Sequence, residues 1–196
     1  MKEQIPFRPY QLENYMDAIW AEGFLNKHEV NLLSSMFDKG EKKQAEISGD
    51  VLVEPELRKS KVVAIEPGYE EFKDIMLRLG QLVLQINAEH YRFDLMGFYE
   101  PIQLAEYSKD DFFDWHADFG NGSASIRKLS MSVQLSHPAE YSGGDLQFMI
   151  HKKGVFAPRT QGTVVIFPSF VPHRVTSITS GKRRSMVGWV SGIPYR

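Results

Sequence analysis

The sequence predicts a mainly β protein with helices flanking the sheets. The first half of the chain carries helical periodicity, and the second half carries short apolar runs separated by turn residues. With 196 residues, the chain is long enough to bury one substantial core. We therefore expect a single domain over residues 1–196, in which residues 1–95 are mostly helical support and residues 96–191 form the β core.

The helical half contains two well-defined segments. Residues Asn26–Asp38 are predicted to form a helix, because Asn26 is a favourable N-cap and three apolar residues share one face of the segment. A longer amphipathic helix is predicted over Glu70–His90, where apolar residues follow the i, i+3, i+4, i+7 spacing. Its apolar stripe consists of Phe72, Ile75, Met76, Leu79, Leu82, Val83 and Ile86. A further short helix is expected around Leu12–Ile19.

The second half predicts eight short strands bounded by glycine, proline and asparagine. They are Ile102–Tyr107, Phe113–Asp118, Leu129–Leu135, Asp145–Ile150, Gly154–Ala157, Thr163–Phe167, His173–Ile178 and Ser185–Val190. An earlier β-branched run, Lys61–Ile65, is a further strand candidate. Strands of this number and spacing favour a sandwich or barrel with the helices packed outside it.

Composition excludes several classes of function. The chain has no cysteine, which excludes disulfides, thiolate zinc sites and iron–sulfur clusters. A net charge of −2 gives no general attraction to nucleic acid, and no apolar run is long enough to span a membrane. The first twenty residues have no run that resembles a signal peptide, so we expect a cytoplasmic protein. Any metal must be bound by His, Asp or Glu.

Two segments contain candidate metal ligands. His116 and Asp118 are spaced so that, within a strand, both side chains point to the same face. His173 begins a predicted strand, directly after a turn bracketed by Pro168 and Pro172. Each feature alone has an ordinary structural explanation: an exposed histidine beside a solvated aspartate, and a buried core histidine.

Arg183 is a candidate for binding a carboxylate. It shares strand parity with Ser185, Val187 and Trp189, so these four side chains are predicted to face the interior while Arg184 faces outward. An arginine inside a barrel needs a carboxylate partner, and a bound diacid can provide one through two parallel hydrogen bonds.

Several ordered motifs accompany these residues. Tyr107, Phe113, His116 and Asp118 match the offsets of a Y-x2-G-x2-F-x2-H-x-D signature, except that Asp110 stands where the signature has glycine. The later matches are Arg127, Ser130, Leu135, Gly143–Phe148, Gly162, Phe167–Ser169, His173, Gly181 and Arg183. Together they resemble the prolyl 4-hydroxylase-like branch of the Fe(II)/2-oxoglutarate oxygenases, of the procollagen-lysine/prolyl hydroxylase type, over roughly residues 90 to 191.

The resemblance implies a double-stranded β-helix, a cupin-like jelly roll, with Fe(II) bound by His116, Asp118 and His173. It implies that Arg183 pairs with the distal carboxylate of the cosubstrate 2-oxoglutarate and that Tyr107 hydrogen-bonds the same molecule. Gln134 and Trp189 are implied to line that pocket, and Ser185 is implied to assist Arg183 in binding the cosubstrate. The implied activity is hydroxylation of a C–H bond with O2, releasing succinate and CO2, and ascorbate is implied as a reductant.

Other functions stay open at this point. The expected substrate is a prolyl or other amino-acid side chain in a peptide or protein, with a free amino acid or another small molecule as the alternative. A non-catalytic jelly-roll module that binds metal is a different class, and zinc can replace iron in such a ligand set. Nucleic-acid demethylation is disfavoured because Trp189 stands where those enzymes carry a second arginine. No G-x-S-x-G segment supports a serine hydrolase. Oligomeric state is not readable from the sequence.

Overall fold

The computed structural model describes residues 17–45, 56–150 and 154–194. Two α-helices lie in this part of the chain, α1 (Lys27–Lys39) and α2 (Lys73–Ile86). The strands of this part, in chain order, are β1 (Ile19–Ala21), β2 (Lys43–Gln44), β3 (Arg58–Lys59), β4 (Lys61–Ile65), β5 (Leu95–Gly97), β6 (Ile102–Tyr107), β7 (Phe112–His116), β8 (Arg127–Gln134), β9 (Tyr141–Gly143), β10 (Leu146–Phe148), β11 (Val155–Phe156), β12 (Val164–Pro168), β13 (His173–Val175), β14 (Ile178–Gly181) and β15 (Arg183–Gly192). The predicted helix at Leu12–Ile19 lies outside the described residues, except at its end, where Ile19 begins β1.

The strands form two main antiparallel sheets. The larger has the order β1-β12-β8-β15-β6-β4-β2, with β5 paired to β15, and the smaller has the order β11-β10-β13-β7-β3. Strands β9 and β14 form a separate pair. Apolar side chains from both main sheets share one interior cluster, so the two sheets pack face to face. The predicted β class with flanking helices is confirmed.

Helix α1 begins as the sequence predicted. Asn26 is its N-cap and makes a capping box with Glu29, in which each side chain bonds the backbone amide of the other residue, at 3.0 and 2.9 Å. At the other end the amide of Gly40 donates to the carbonyl of Met36 at 2.9 Å. These bonds satisfy backbone groups that the helix itself leaves unpaired.

Both helices pack on the outer face of the large sheet. Their buried residues share one cluster with outward residues of the sheet, such as Leu104, Met131 and Met186. The predicted helix over Glu70–His90 is divided into three parts: a 3-10 turn, α2, and a π turn over Asn87–Tyr91. As expected, the apolar stripe covers the sheet from outside and leaves the interior free.

The chain leaves α2 through a tightly bonded turn. Arg92 has a left-handed backbone, with φ of 57°, and the side chain of Asn87 bonds both the amide and the carbonyl of Phe93 at 2.9 Å. The Tyr91 hydroxyl lies 2.6 Å from the carbonyl of Asp17 and 3.1 Å from that of Ile166. These bonds fix the junction between α2 and the large sheet.

One sequence prediction needs correction. The predicted strand His173–Ile178 is two strands in different sheets, because β13 ends at Val175 and β14 begins at Ile178. Asp110, which replaces the glycine of the family signature, adopts a left-handed φ of 67° and keeps the tight turn. Asp and Asn tolerate this conformation better than other non-glycine residues. Among the described residues, no helix is long and apolar enough to cross a membrane.

Candidate functional site

The two candidate histidines meet across the small sheet. β7 and β13 pair antiparallel, and their register places His116 opposite His173. Asp118 completes a group whose possible ligand atoms all lie within 4.8 Å of one another. Its carboxylate oxygens lie 3.7 Å from Nε2 of His116 and 3.6 Å from Nε2 of His173. The structure therefore brings the three predicted ligands together.

Asp118 reaches this position by a different route from the one that the sequence suggested. Strand β7 ends at His116, so Asp118 lies beyond it, and strand alternation does not orient its side chain. Instead, its amide donates to the carbonyl of Ser169 at 2.9 Å, and its carbonyl accepts from Nη1 of Arg127 at 3.1 Å. Hydrogen bonds to Ser169 and Arg127 thus fix the backbone of Asp118.

Backbone carbonyls orient both imidazoles. Nδ1 of His116 lies 2.7 Å from the carbonyl of Asp114, and Nδ1 of His173 lies 3.0 Å from that of Val171. A carbonyl only accepts, so each Nδ1 must carry the proton that it donates. In the neutral ring, Nε2 is then unprotonated and presents its lone pair to the cluster, as metal-binding histidines do.

The charge state of the cluster also suits a cation. Burial and the neighbouring His173 lower the pKa of His116 to about 3, so this ring is neutral at neutral pH. Burial raises the pKa of Asp118, but the two imidazoles and a hydrogen bond from Ser130 outweigh burial and lower it. Oδ2 of Asp118 is buried with no hydrogen-bond partner in the described part of the chain. Two nitrogen lone pairs and an ionised oxygen therefore converge, and a divalent metal ion would satisfy all three.

The cluster opens into a cavity between the two main sheets. Besides the three cluster residues, its wall includes residues of β15 and β6, namely Arg183, Ser185, Val187, Trp189 and Tyr107. All four inward residues predicted on β15 thus line one cavity. Arg184 lies on the outer face, where it pairs with Glu106 and Asp38. The predicted parity of the strand is correct.

Arg183 is a buried cation whose hydrogen bonds are incomplete. Its side chain is among the largest fully buried ones, with 1% of the residue exposed. Nη1 donates to the Ser185 hydroxyl at 3.3 Å, and the guanidinium carbon lies 5.6 Å from the centre of the Tyr107 ring. Nε and Nη2 have no hydrogen-bond partner among the described residues. These two nitrogens form one edge of the guanidinium, the edge that pairs with a carboxylate through two parallel bonds.

A glycine makes room for the stem of this arginine. Gly144 has a φ of +65°, and a Cβ there would lie 2.3 Å from Cδ1 of Ile178 and 3.1 Å from Cδ of Arg183. Any side chain would therefore press on the arginine as well as strain the backbone. The second glycine of the Gly143-Gly144 motif therefore leaves the space that the Arg183 side chain occupies.

The remaining predicted residues divide into two groups. Tyr107, Ser185 and Trp189 line the cavity, as the resemblance implied. Gln134 pairs in register with Ser185 and is buried, but it does not belong to the described lining. A role for Gln134 in binding the cosubstrate stays a prediction.

Sequence reasoning gave no role to one residue that organises the site. Arg127 is buried, bonds the Glu100 carboxylate through Nε at 2.7 Å, and lies 4.0 Å from the centre of the Trp189 ring. Because it also bonds the carbonyl of Asp118, it links a metal-ligand candidate to the cavity wall. Its position in the R-x2-S motif was the available signal, but its contacts depend on long-range packing.

Known proteins resemble this chain in sequence, chiefly over its second half. Residues 102–191 match the model of the 2OG-Fe(II) oxygenase superfamily. A PKHD-type hydroxylase of Hyphomonas neptunium is 35% identical over 96 residues, which cover 47% of this chain and 43% of that protein. A PKHD-type hydroxylase of Shewanella sp. strain ANA-3 is 26% identical over 86% of this chain and 75% of its own length. The segments matched in the first relatives span less than half of those proteins.

Solved structures support the fold. A prolyl-4-hydroxylase of Pseudomonas putida superposes with a TM-score of 0.73 at 23% identity, covering 91% of this chain and 94% of that chain. A prolyl hydroxylase of Trichoplax adhaerens, solved in complex with a peptide fragment of hypoxia inducible factor, gives 0.75 at 16% identity, covering 89% of this chain and 83% of that chain. The fold is therefore the predicted double-stranded β-helix. Residues 102–191, slightly less than half of the chain, are similar to the 2OG-Fe(II) oxygenase superfamily.

Proposed function

We propose that this protein is an Fe(II)- and 2-oxoglutarate-dependent dioxygenase that hydroxylates a prolyl or other amino-acid side chain in a peptide or protein. One observation carries the proposal. A single cavity holds a two-histidine, one-carboxylate cluster and a buried guanidinium whose carboxylate-binding edge has no partner among the described residues. The first feature is the ligand set typical of non-haem Fe(II) oxygenases, and the second fits a dicarboxylate.

The residues present would hold the metal through Nε2 of His116, Nε2 of His173 and one oxygen of Asp118. Three protein ligands on one face leave positions open for cosubstrate and O2. When bound, Fe(II) would allow O2 to oxidise the substrate carbon and 2-oxoglutarate together, so that one oxygen atom forms the new hydroxyl and the other enters succinate as CO2 is released.

Arg183 would orient the cosubstrate. Its free Nε and Nη2 donate to the distal carboxylate, while Ser185 fixes the other side of the guanidinium at Nη1. The planar guanidinium can meet both oxygens of a carboxylate through two parallel hydrogen bonds. The Tyr107 hydroxyl is proposed to donate to the same molecule, in keeping with its place on the cavity wall.

Apolar walls would exclude bulk water from the metal. The ring of Phe113 stacks on His116 with 3.3 Å between centres, and the ring of Phe167 lies 4.7 Å from that of His173. Leu146, Val187 and Trp189 extend the apolar lining. Such walls protect a reactive centre from side reactions and strengthen the electrostatic contacts inside it.

The names of the similar proteins support the substrate class. The curated relatives are PKHD-type hydroxylases, and two of the superposed structures are prolyl hydroxylases, one of them with a bound peptide fragment. A side chain presented by a peptide or protein is therefore our first choice of substrate. Free amino acids are the alternative that the experiment must include.

The test is succinate formation from 2-oxoglutarate by the Fe(II)-loaded protein, with ascorbate as reductant. Proline-containing peptides, peptides with other target side chains and the same residues as free amino acids form the substrate panel. We expect at least one peptide to stimulate succinate release and to gain one oxygen atom by mass spectrometry. The His173→Ala variant is the control and should release none. Metal binding without any succinate would instead indicate a non-catalytic module.

A further inference from the structure

We propose that the Tyr141 hydroxyl is a further cosubstrate-binding group, which donates a hydrogen bond to the carboxylate paired with Arg183. This inference rests on the proposed function. It adds a residue to the expected cosubstrate set, and its test is independent of which substrate is hydroxylated.

The hydroxyl of Tyr141 lies in the protein interior. The residue is 4% exposed and belongs to the interior cluster, and its oxygen has no hydrogen-bond partner among the described residues. Tyr91 is equally buried, but its hydroxyl bonds two backbone carbonyls. Because a buried hydroxyl normally finds a partner, the free oxygen of Tyr141 indicates a ligand group.

Two glycines place Tyr141 beside Arg183. The point where a Cβ of Gly144 would lie is 3.4 Å from Cε2 of Tyr141 and 3.1 Å from Cδ of Arg183, so ring and stem pack over the same glycine. Strand pairing also sets Tyr141 opposite Gly181, two residues before the arginine. The free hydroxyl and the free edge of the guanidinium thus belong to neighbouring side chains.

The ring of Tyr141 is fixed from its other side. Arg159 lies over it, with the guanidinium carbon 4.2 Å from the ring centre, and Nη2 of Arg159 donates to the Tyr141 carbonyl at 2.9 Å. Nη1 of Arg159 reaches Oδ1 of Asp145 at 3.5 Å. A ring held in this way presents its hydroxyl in a fixed position, which lowers the entropic cost of binding a ligand.

The chemistry of a carboxylate leaves room for this donor. Its two oxygens accept about four hydrogen bonds in total. The free edge of Arg183 supplies two of these, through Nε and Nη2. A neighbouring phenol donates one proton and needs no charge of its own, so it can accompany the guanidinium without repulsion.

Three tyrosine-to-phenylalanine variants test the inference, since each removes a single oxygen. Tyr141→Phe is the test variant, Tyr107→Phe removes the expected cosubstrate donor, and Tyr91→Phe removes a hydroxyl that is bonded within the protein. Each is loaded with Fe(II) under anaerobic conditions and titrated calorimetrically with 2-oxoglutarate. A second titration uses 2-oxopentanoate, which keeps the keto acid but replaces the distal carboxylate by a methyl group.

We expect Tyr141→Phe to weaken 2-oxoglutarate binding roughly 10- to 100-fold, the usual effect of losing a hydrogen bond to a charged group. Binding of 2-oxopentanoate should stay within about threefold of wild type, because it lacks the group that the hydroxyl contacts. The melting temperature of the ligand-free variant should be unchanged or higher, since no internal bond is lost. Tyr91→Phe should show the reverse pattern: a lower melting temperature and unchanged 2-oxoglutarate affinity.

Failure of this inference can be distinguished from failure of the proposed function. If wild type binds 2-oxoglutarate no better than 2-oxopentanoate, the proposed carboxylate recognition itself is wrong. If wild type prefers 2-oxoglutarate and Tyr141→Phe keeps that preference in full, Tyr141 is not a cosubstrate-binding residue. A loss of thermal stability in Tyr141→Phe as large as that in Tyr91→Phe would also overturn the inference, because it would reveal an internal partner for the hydroxyl.

Discussion

Replacing Arg183 by methionine separates cosubstrate binding from folding. Methionine keeps most of the stem that packs against Gly144 but removes the guanidinium. Losing one partner of a buried, hydrogen-bonded ion pair costs about 3–5 kcal/mol. Since each 1.4 kcal/mol is tenfold in affinity, 2-oxoglutarate binding should weaken on the order of 10²- to 10³-fold. Arg183→Lys should recover only part of this loss, because an ammonium cannot form two parallel bonds.

The thermal stability of the ligand-free Arg183→Met variant should not fall, although its 2-oxoglutarate affinity does. In the free protein the guanidinium is buried, and its Nε and Nη2 lack partners in the described part of the chain. Burying a cation in this way opposes folding, so Arg183→Met should melt at the same temperature as wild type or higher. Such a trade between stability and binding is typical of functional sites.

The assay is calorimetric titration of 2-oxoglutarate into Fe(II)-loaded protein without oxygen, with melting temperatures measured in parallel. Lys182→Met is the matched control, because Lys182 neighbours Arg183 and its side chain is 63% exposed. It should change the affinity by less than about threefold, since an exposed charge acts only through screened solvent. If Arg183→Met bound 2-oxoglutarate within tenfold of wild type, the distal carboxylate would be held elsewhere.

Four further outcomes follow from the structure. Asp118→Glu should abolish coupled succinate release, because one added methylene displaces the carboxylate by more than the roughly 0.5 Å that such a site tolerates; activity near wild type would exclude Asp118 as a ligand. Gly144→Ala should weaken 2-oxoglutarate binding and lower the melting temperature, because its Cβ meets Ile178 and the stem of Arg183. Asp110→Val should destabilise by about 1–2 kcal/mol in denaturant titrations, since a β-branched residue is poorly tolerated at a φ of 67°. Arg184→Ala should lower the free energy of unfolding but leave 2-oxoglutarate affinity within about threefold, because its contacts with Glu106, Asp38 and the Phe37 ring fasten α1 to the sheet.

Local patterns were enough to predict several elements. The N-cap of α1, the bounds of β4 and β6 and the parity of β15 follow from residue types and alternation, and the structure agrees with each. The three candidate ligands were also identified from sequence, through a spacing and a motif. At these positions the local preference of the residues and the folded structure agree, as is usual for sequences in which local and long-range interactions favour the same fold.

Features that depend on distant contacts could not be predicted. The very short strands β2 and β3 are defined by pairing with segments that are distant in the sequence. Strands β13 and β14 join different sheets although only two residues separate them and neither is glycine or proline. Asp118 lies outside a strand, so its orientation comes from Ser169 and Arg127 rather than from alternation. The free hydroxyl of Tyr141 becomes evident only when burial and hydrogen bonds are known together.

The central claim is that one cavity binds both the metal and the 2-oxo acid. An anaerobic titration of the wild-type protein with Fe(II) and then 2-oxoglutarate tests it most directly, because a 2-oxo acid that chelates protein-bound Fe(II) gives a visible absorption band. We predict that the band appears, saturates at one equivalent of each component, and is absent in His173→Ala. Iron binding with no band at any 2-oxoglutarate concentration would contradict the claim.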